Sequence, residues 1–385
     1  MTVRDGLLVG VSLVLSLAAA EVGLRLLAPV GPEGFEVAPE TAAIRYATEQ
    51  NLPGLKPQVV YERNDYGLRT RSVLNGTKVP GLIRILCLGG STADQPTQDF
   101  ADTWCGRLES EGLRTGGSSG PGPRFETAIH GRGGYRGVDL LAWVEDSLDA
   151  VQPDMVIVLL GINDLVWAGG PEYRYQGLDS ALASSRRARG PREARVSLAR
   201  RLCPESLQLC RRLILLKRSL ARNAIEWHSA NLPELRRQYQ ALPSVDDLRR
   251  NPDPAVEFEA AMDSLAATLA ARGIRALFLG QPTLWSPTMG AEEQATLWFG
   301  VATPEGKVRP SGRWLAAEMS RYNAIQETIA RRHGFLYLDL GDRIPRSLEY
   351  FFDDCHFTDL GSALVSTEIM PLVIKAAEPL SSSVP

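Results

Sequence analysis

The feature that most constrains this chain is an unbroken apolar run, Ile85-Leu86-Cys87-Leu88, that stops abruptly at Gly89-Gly90-Ser91-Thr92. A short apolar run of this kind suits a strand covered on both faces, as in a parallel sheet between helical layers. Two glycines then allow a sharp turn and a close backbone approach. They present Ser91 at the carboxyl end of the strand, where open α/β sheets bind ligands. The pattern returns twice, as residues 125–130 run into Gly131-Arg132-Gly133-Gly134-Tyr135 and residues 155–160 into Gly161-Ile162-Asn163-Asp164. Val138, Leu141, Val144, Leu148 and Val151 recur at helical spacing between the second and third strands. Further helices are expected near 103–113, 255–272 and 315–332, and further strands over 275–280 and 335–340. Alternation of strand, glycine turn and helix implies right-handed crossovers and a parallel sheet, with all the turns on one edge. Residues distant in sequence can therefore meet there.

Charge and cysteine content narrow the function class. A net charge of -3 over 385 residues argues against nucleic acid as a partner of the whole molecule. The charge is unevenly placed: residues 171–250 carry 17 Arg or Lys against 8 Asp or Glu, including Arg186-Arg187-Ala188-Arg189. This basic, helix-forming stretch reads as an insertion, lid or cap outside the sheet, with a surface able to attract anionic lipid head groups or an acidic polysaccharide. At the N-terminus, residues 6–20 are free of charge and rich in Leu and Val, the length of a signal peptide's apolar core; the apolar character continues through Leu24, Leu26 and Leu27. A cleaved signal peptide and an uncleaved signal anchor both fit, and either places the rest of the chain outside the cytoplasmic membrane of a bacterium. Five cysteines are too few for a disulfide scaffold. Cys203 and Cys210 are the expected pair, while Cys87 is expected to be a small buried hydrophobe. The four histidines, His130, His228, His333 and His356, lie far apart and no Cys-x-x-Cys occurs, so no metal site is expected and no cofactor is called for.

Acyl transfer by a serine requires a base, a carboxylate that orients it, and preorganised donors for the oxyanion. Asp353 and His356, three apart in one loop before the last helix, can supply carboxylate and base; Asp354 competes with Asp353. Gly134 offers a backbone N–H and Asn163 a side-chain amide, from turns on the same edge as Ser91. In these residues the chain resembles the SGNH hydrolase superfamily, the GDSL-type esterases and lipases. The four blocks occur in order as Gly-Gly-Ser-Thr at 89–92, Gly-Arg-Gly-Gly-Tyr at 131–135, Gly-Ile-Asn-Asp at 161–164 and Asp-x-x-His at 353–356. The resemblance implies Ser91 as nucleophile, His356 as general base and acid, and Asp353 as the orienting carboxylate. It also implies an oxyanion hole of the Ser91 N–H, the Gly134 N–H and the Asn163 amide. Position 90 is Gly where the eponymous motif has Asp, a variation similar to membrane-anchored members. Gly131 and Gly133 compete with Gly134, which precedes Tyr135 and the helix as the family's oxyanion glycine does. The Gly-x-Ser-x-Gly elbow of α/β-hydrolases is absent around Ser91.

The reading is a three-layer α/β/α sandwich with a central, flavodoxin-like parallel sheet of about five strands. Its expected organisation is a signal anchor or signal peptide over 1–28 and a stalk with a docking segment over 29–80. A catalytic domain of 81–170 and 255–378 follows, interrupted by the basic insertion 171–254 and followed by a tail, 379–385. The expected activity is serine-dependent cleavage of O-linked acyl groups on an envelope carbohydrate or lipid ester. Acyl transfer to a cell-surface polysaccharide and a silent polysaccharide-binding role are the alternatives. Trp285 and Trp298, in a long aromatic segment after the fourth strand, are expected to contact substrate. Acyl-ester substrate and, through the N-terminus, the membrane are the expected partners.

Overall fold

The apolar runs align side by side with their glycine turns on one edge. The structure is a computed structural model and describes residues 81–114, 124–170, 176–189 and 232–381, with short pieces between residues 12 and 71. An antiparallel pair, β1 (Ala42–Arg45) and β2 (Gln58–Tyr61), precedes the sheet proper. The sheet is built from β3 (Leu82–Gly89), β4 (Arg124–Gly131) and β5 (Met155–Leu159). After a short β6 (Ser244–Val245) come β7 (Arg275–Gly280), the hairpin β8 (Val301–Thr303) and β9 (Gly306–Pro310), and finally β10 (Leu336–Asp339). All neighbours in the main sheet are parallel, in the order β10-β7-β5-β3-β4, the flavodoxin-like arrangement with the first strand beside the second and third. Gly89 is in register with both Gly131 and Leu159, which brings the three glycine turns to one place.

Helices cover both faces, which is why the strands read as continuous apolar runs. The turn helix α1 (Ser91–Asp94) follows β3, and α2 (Trp104–Arg114) packs on β4. On the other face lie α3 (Gly137–Val151) and, after α4 (Ile162–Trp167), α5 (Leu178–Arg189) and α6 (Leu232–Gln240), the long α7 (Ala255–Ala271). The short α8 (Ala291–Thr296) leads to α9 (Gly312–Arg332), which lies on β7 and β10, while the last helix, α10 (Asp359–Ser381), packs with α2. Burial is complete in the central strands: Ile85, Leu86, Cys87, Leu88, Val156, Ile157 and Val158 are all 0% exposed.

Several expectations meet corrections. Cys87 is buried but not a free thiol: it forms a disulfide with Cys105, tying the strand before Ser91 to α2. Cys203, Cys210 and His228 lie outside the described residues, as does the N-terminal apolar stretch apart from a few helical positions between 12 and 22. Residues 29–80, expected as a stalk with a docking segment, include the β1–β2 pair and a bridge from Arg69 to Ile129. Among the described residues one helical stretch, Asp359–Ala377, is long and apolar enough to cross a membrane. It is the α10 core helix, whose Val365, Ile369 and Val373 are fully buried.

Candidate active site

Gly89 explains the abrupt end of the first apolar run. A Cβ there would stand 2.3 Å from the Leu159 carbonyl oxygen and 2.6 Å from the Ala93 Cβ, both fixed by the fold. Only glycine lets the chain turn against the neighbouring strand. Ser91 therefore opens α1 directly above the strand end, nearly buried, and its Oγ lies 2.7 Å from His356 Nε2. A Cβ on Gly90 would stand 2.5 Å from Asn163 Nδ2, so the amide occupies the place beside the turn that a side chain at 90 would take.

His356, the candidate base, comes from the loop between β10 and α10, closed by a bridge between Phe351 and Phe357. His356 Nδ1 lies 2.8 and 2.9 Å from the two oxygens of Asp353, and Asp353 Oδ1 also accepts from the Cys355 and His356 backbone N–H groups. This is the local side-chain-to-backbone turn that Asp favours, and it explains the tight three-residue spacing. Trp298 Nε1 donates to Asp353 Oδ2 at 2.8 Å. Burial pushes the Asp353 carboxyl up, but the His356 ring and these donors outweigh it and hold the group below the usual carboxylate range. The neighbouring Asp354 turns away from His356: it accepts from Trp285 Nε1 at 2.9 Å and from the Trp298 and Phe299 N–H groups. Burial and the nearby Asp353 charge push Asp354 up to about 7.

Asp353, Cys355 and His356 also offer three potential ligand atoms within 4.8 Å of one another. The chemistry of the set suits a triad better than a metal. Burial and the two adjacent carboxylates raise the Cys355 thiol well above its ordinary value, away from the thiolate a metal takes, and the Nδ1 lone-pair position is turned to Asp353.

The other two turns are tied to each other. Asn163 Nδ2 donates to the Tyr135 carbonyl at 2.9 Å, and Asp164 Oδ1 accepts from the Gly137 N–H at 2.9 Å. Gly134 immediately precedes Tyr135 with φ of 82°, a conformation glycine adopts at no steric cost. Among the described residues neither the Ser91 N–H nor the Gly134 N–H is taken up by another protein group. Asp164 Oδ2 has no hydrogen-bond partner among the described residues, and burial pushes this carboxyl up to about 8.

Sequence reasoning missed two buried arginines, Arg63 and Arg69, that bind backbone carbonyls of the Gly131 turn and of the segment after Ser91. Arg63 donates to the carbonyl of Gly131 and pairs with Asp94 at 2.8 Å, while the Tyr61 hydroxyl donates to the same carboxylate. Arg69, fully buried, donates to the carbonyls of Asp94, Gln95 and Gln98, at 2.9 Å and 2.8 Å for the last two. The available signal was the alternation of aromatic and basic residues through Tyr61 to Arg69, which marked a docking segment but not its target.

The aromatic segment is placed differently from the expectation. Trp285 is fully buried and committed to Asp354, so its faces are closed to a substrate. Trp298 is half-buried, its ring parallel to His356 with centroids 6.4 Å apart, and its N–H is committed to Asp353. Of the basic insertion, α6 reaches the site: Arg236 donates to the carbonyls of Phe352 at 3.0 Å and Thr296 at 3.1 Å. Arg186 instead pairs with Glu145 at 2.6 Å and Asp146 at 3.2 Å on the flank of α3. The side chains of Arg187 and Arg189 lie outside the described residues.

No family model matches the chain, and no curated protein does. Solved structures share its layered arrangement loosely. The acetyl xylan esterase AlAXEase overlaps 76% of this chain and 100% of its own at 14% identity and a TM-score of 0.40. LAE5, an alpha/beta hydrolase enzyme from the metagenome of Lake Arreo, Spain, overlaps 77% of this chain and 96% of its own at 15% identity and a TM-score of 0.39. Axe2, an acetylxylan esterase from Geobacillus stearothermophilus, overlaps 75% and 93% at 12% identity, again with a TM-score of 0.39.

Proposed function

We propose that the protein is a serine esterase of the SGNH type that cleaves O-linked acyl groups through an acyl-enzyme on Ser91. The observation that carries this reading is the continuous chain of hydrogen bonds from Ser91 Oγ to His356 Nε2 at 2.7 Å and from His356 Nδ1 to Asp353 at 2.8 Å. In the proposed reaction His356 Nε2 takes the Ser91 proton as Oγ attacks the ester carbonyl carbon. The developing oxyanion faces the Ser91 N–H, the Gly134 N–H and the Asn163 amide. The tetrahedral species collapses as His356 returns the proton to the leaving alcohol, and Ser91 keeps the acyl group. Water then attacks the acyl-enzyme, giving its proton to His356; the tetrahedral species collapses as His356 passes that proton to Ser91 Oγ, and the acid leaves. Asp353 stays ionised throughout and stabilises the imidazolium. A carbohydrate hydroxyl in place of that water turns the same chemistry into acyl transfer, so the ratio of free acid to acylated sugar distinguishes the two outcomes.

The apolar N-terminal stretch supports a substrate outside the cytoplasmic membrane, on an envelope carbohydrate or lipid. Recovery of the full-length chain in the soluble cytosolic fraction of its native host would contradict that placement. The reaction itself is tested by a fluorophosphonate label followed by peptide mapping: the label is expected on Ser91 and absent from Ser91→Ala. Labelling elsewhere, or equal labelling of Ser91→Ala, sinks the assignment.

A further inference from the structure

A side-chain amide is chemically two-faced, and only one of its orientations helps an oxyanion. With Nδ2 toward the Ser91 turn, Asn163 donates to developing negative charge; flipped, its Oδ1 repels that charge. The groups around Asn163 decide which orientation holds. The Tyr135 carbonyl can only accept, and it lies 2.9 Å from Nδ2. Trp167 Nε1 can only donate, and it lies 3.1 Å from Oδ1. A flip would set donor against donor and acceptor against acceptor. Trp167 is four residues after Asn163 on α4, one turn along the same face, so the contact is local to that short helix.

The indole is itself held in place. Lys307 Nζ, from β9, lies 4.1 Å from the centroid of the Trp167 ring, a cation on an aromatic face. Phe299 packs against the ring with centroids 5.8 Å apart and also meets Trp298 at 4.2 Å and His356 at 5.9 Å. One aromatic wall thus reaches from the base to the group that orients the oxyanion amide. We propose that Trp167 is a positioning residue for this reaction: its indole N–H locks Asn163 with Nδ2 toward Ser91, and Lys307 and Phe299 keep the indole in place. This inference rests on the oxyanion role of Asn163 given under the proposed function.

The test is a double-mutant cycle in kcat on p-nitrophenyl acetate. Trp167→Phe keeps an aromatic ring, smaller than the indole, and removes the N–H. It is expected to lower kcat roughly five- to tenfold, the effect of one hydrogen bond, with KM little changed. Asn163→Ala is expected to lower kcat by about 10²- to 10³-fold. In the Asn163→Ala background Trp167→Phe should cost nothing further, because no amide remains to orient. Unchanged kcat in Trp167→Phe, or an equal loss in both backgrounds, overturns the positioning role while leaving the esterase reading intact. Unchanged kcat in Asn163→Ala overturns the oxyanion reading instead. Should Trp167→Phe fail to fold, protein with 15N-labelled indoles decides: Asn163→Ala must move the Trp167 Nε1–H resonance and speed its exchange with solvent. An unmoved resonance contradicts the contact.

Discussion

The two sides of the site are built by different means. The side carrying Ser91, the proposed nucleophile, is made of backbone: three strand ends, each followed by a glycine turn, with Gly89 in register with Gly131 and Leu159. The side carrying His356, the proposed base, is made of side chains, a loop at 350–358 whose two adjacent carboxylates each accept from an indole arriving from more than 50 residues away. Burial pushes both carboxyls up; at Asp353 the His356 ring and the Trp298 N–H outweigh it and hold the group low, whereas at Asp354 the neighbouring Asp353 charge adds to burial and the Trp285 N–H only partly offsets them. A turn determined by sterics is insensitive to its surroundings, whereas a carboxylate's role is set almost wholly by them.

This contrast can be broken most decisively at the hydrogen-bonded chain. Ser91→Ala and His356→Ala are each expected to lower kcat on short p-nitrophenyl esters by about 10⁴ or more, with the thermal unfolding midpoint little changed. Activity near wild type in either variant ends the assignment. The two carboxylates should then separate: Asp353→Ala is expected to cost on the order of 10³ to 10⁴ in kcat, and Asp354→Asn roughly tenfold through loosened Trp298 and Phe299 contacts. Equal losses would mean that the pair acts as one unit. A smaller effect sharpens the base side. Trp298→Phe keeps the ring parallel to His356 but removes one donor to Asp353, so kcat is expected to fall only about threefold to tenfold.

The effect expected at Asp164 appears in stability rather than rate. Its carboxyl is raised to about 8 in the folded protein by burial, with Arg136 opposing and Asp139 and Glu257 reinforcing the shift. The unfolded chain ionises near pH 4, so the folded state holds an extra proton between about pH 4 and 8. This group's contribution is therefore full at low pH and is lost as pH rises toward 8. Asp164→Asn keeps the acceptor for the Gly137 N–H and should flatten that part of the stability curve, as measured by urea midpoints across this range. A curve with unchanged slope would place an ionised carboxylate at 164 already at pH 5.

The same contrast explains what the sequence disclosed. The strands at 85–88, 125–130 and 155–160, their turns, and the helices near 104–114 and 255–271 were legible because burial on both faces and glycine at the turn are local requirements. The triad candidates were legible because each sits at such a turn or at a fixed three-residue spacing. The Cys87–Cys105 disulfide was not, since it joins a strand to a helix that only packing brings together. Trp285 and Trp298 showed that an aromatic segment borders the site, but their hydrogen bonds to Asp354 and Asp353 depend on the path of the loop. Arg63 and Arg69 fell within the docking segment, but their burial was not legible, because nothing local reveals the carbonyl groups that satisfy them. Trp167 and Lys307 lay outside every motif.

The central claim is that Ser91 carries the acyl group during turnover. The most direct measurement is mass spectrometry of the protein quenched in acid during the first turnovers of p-nitrophenyl acetate, followed by peptide mapping. The account predicts one acetyl group on Ser91, formed with the burst of p-nitrophenol and lost as turnover is exhausted. An acetyl group that accumulates on another residue at the same rate, or a burst with no acylated protein, would contradict it.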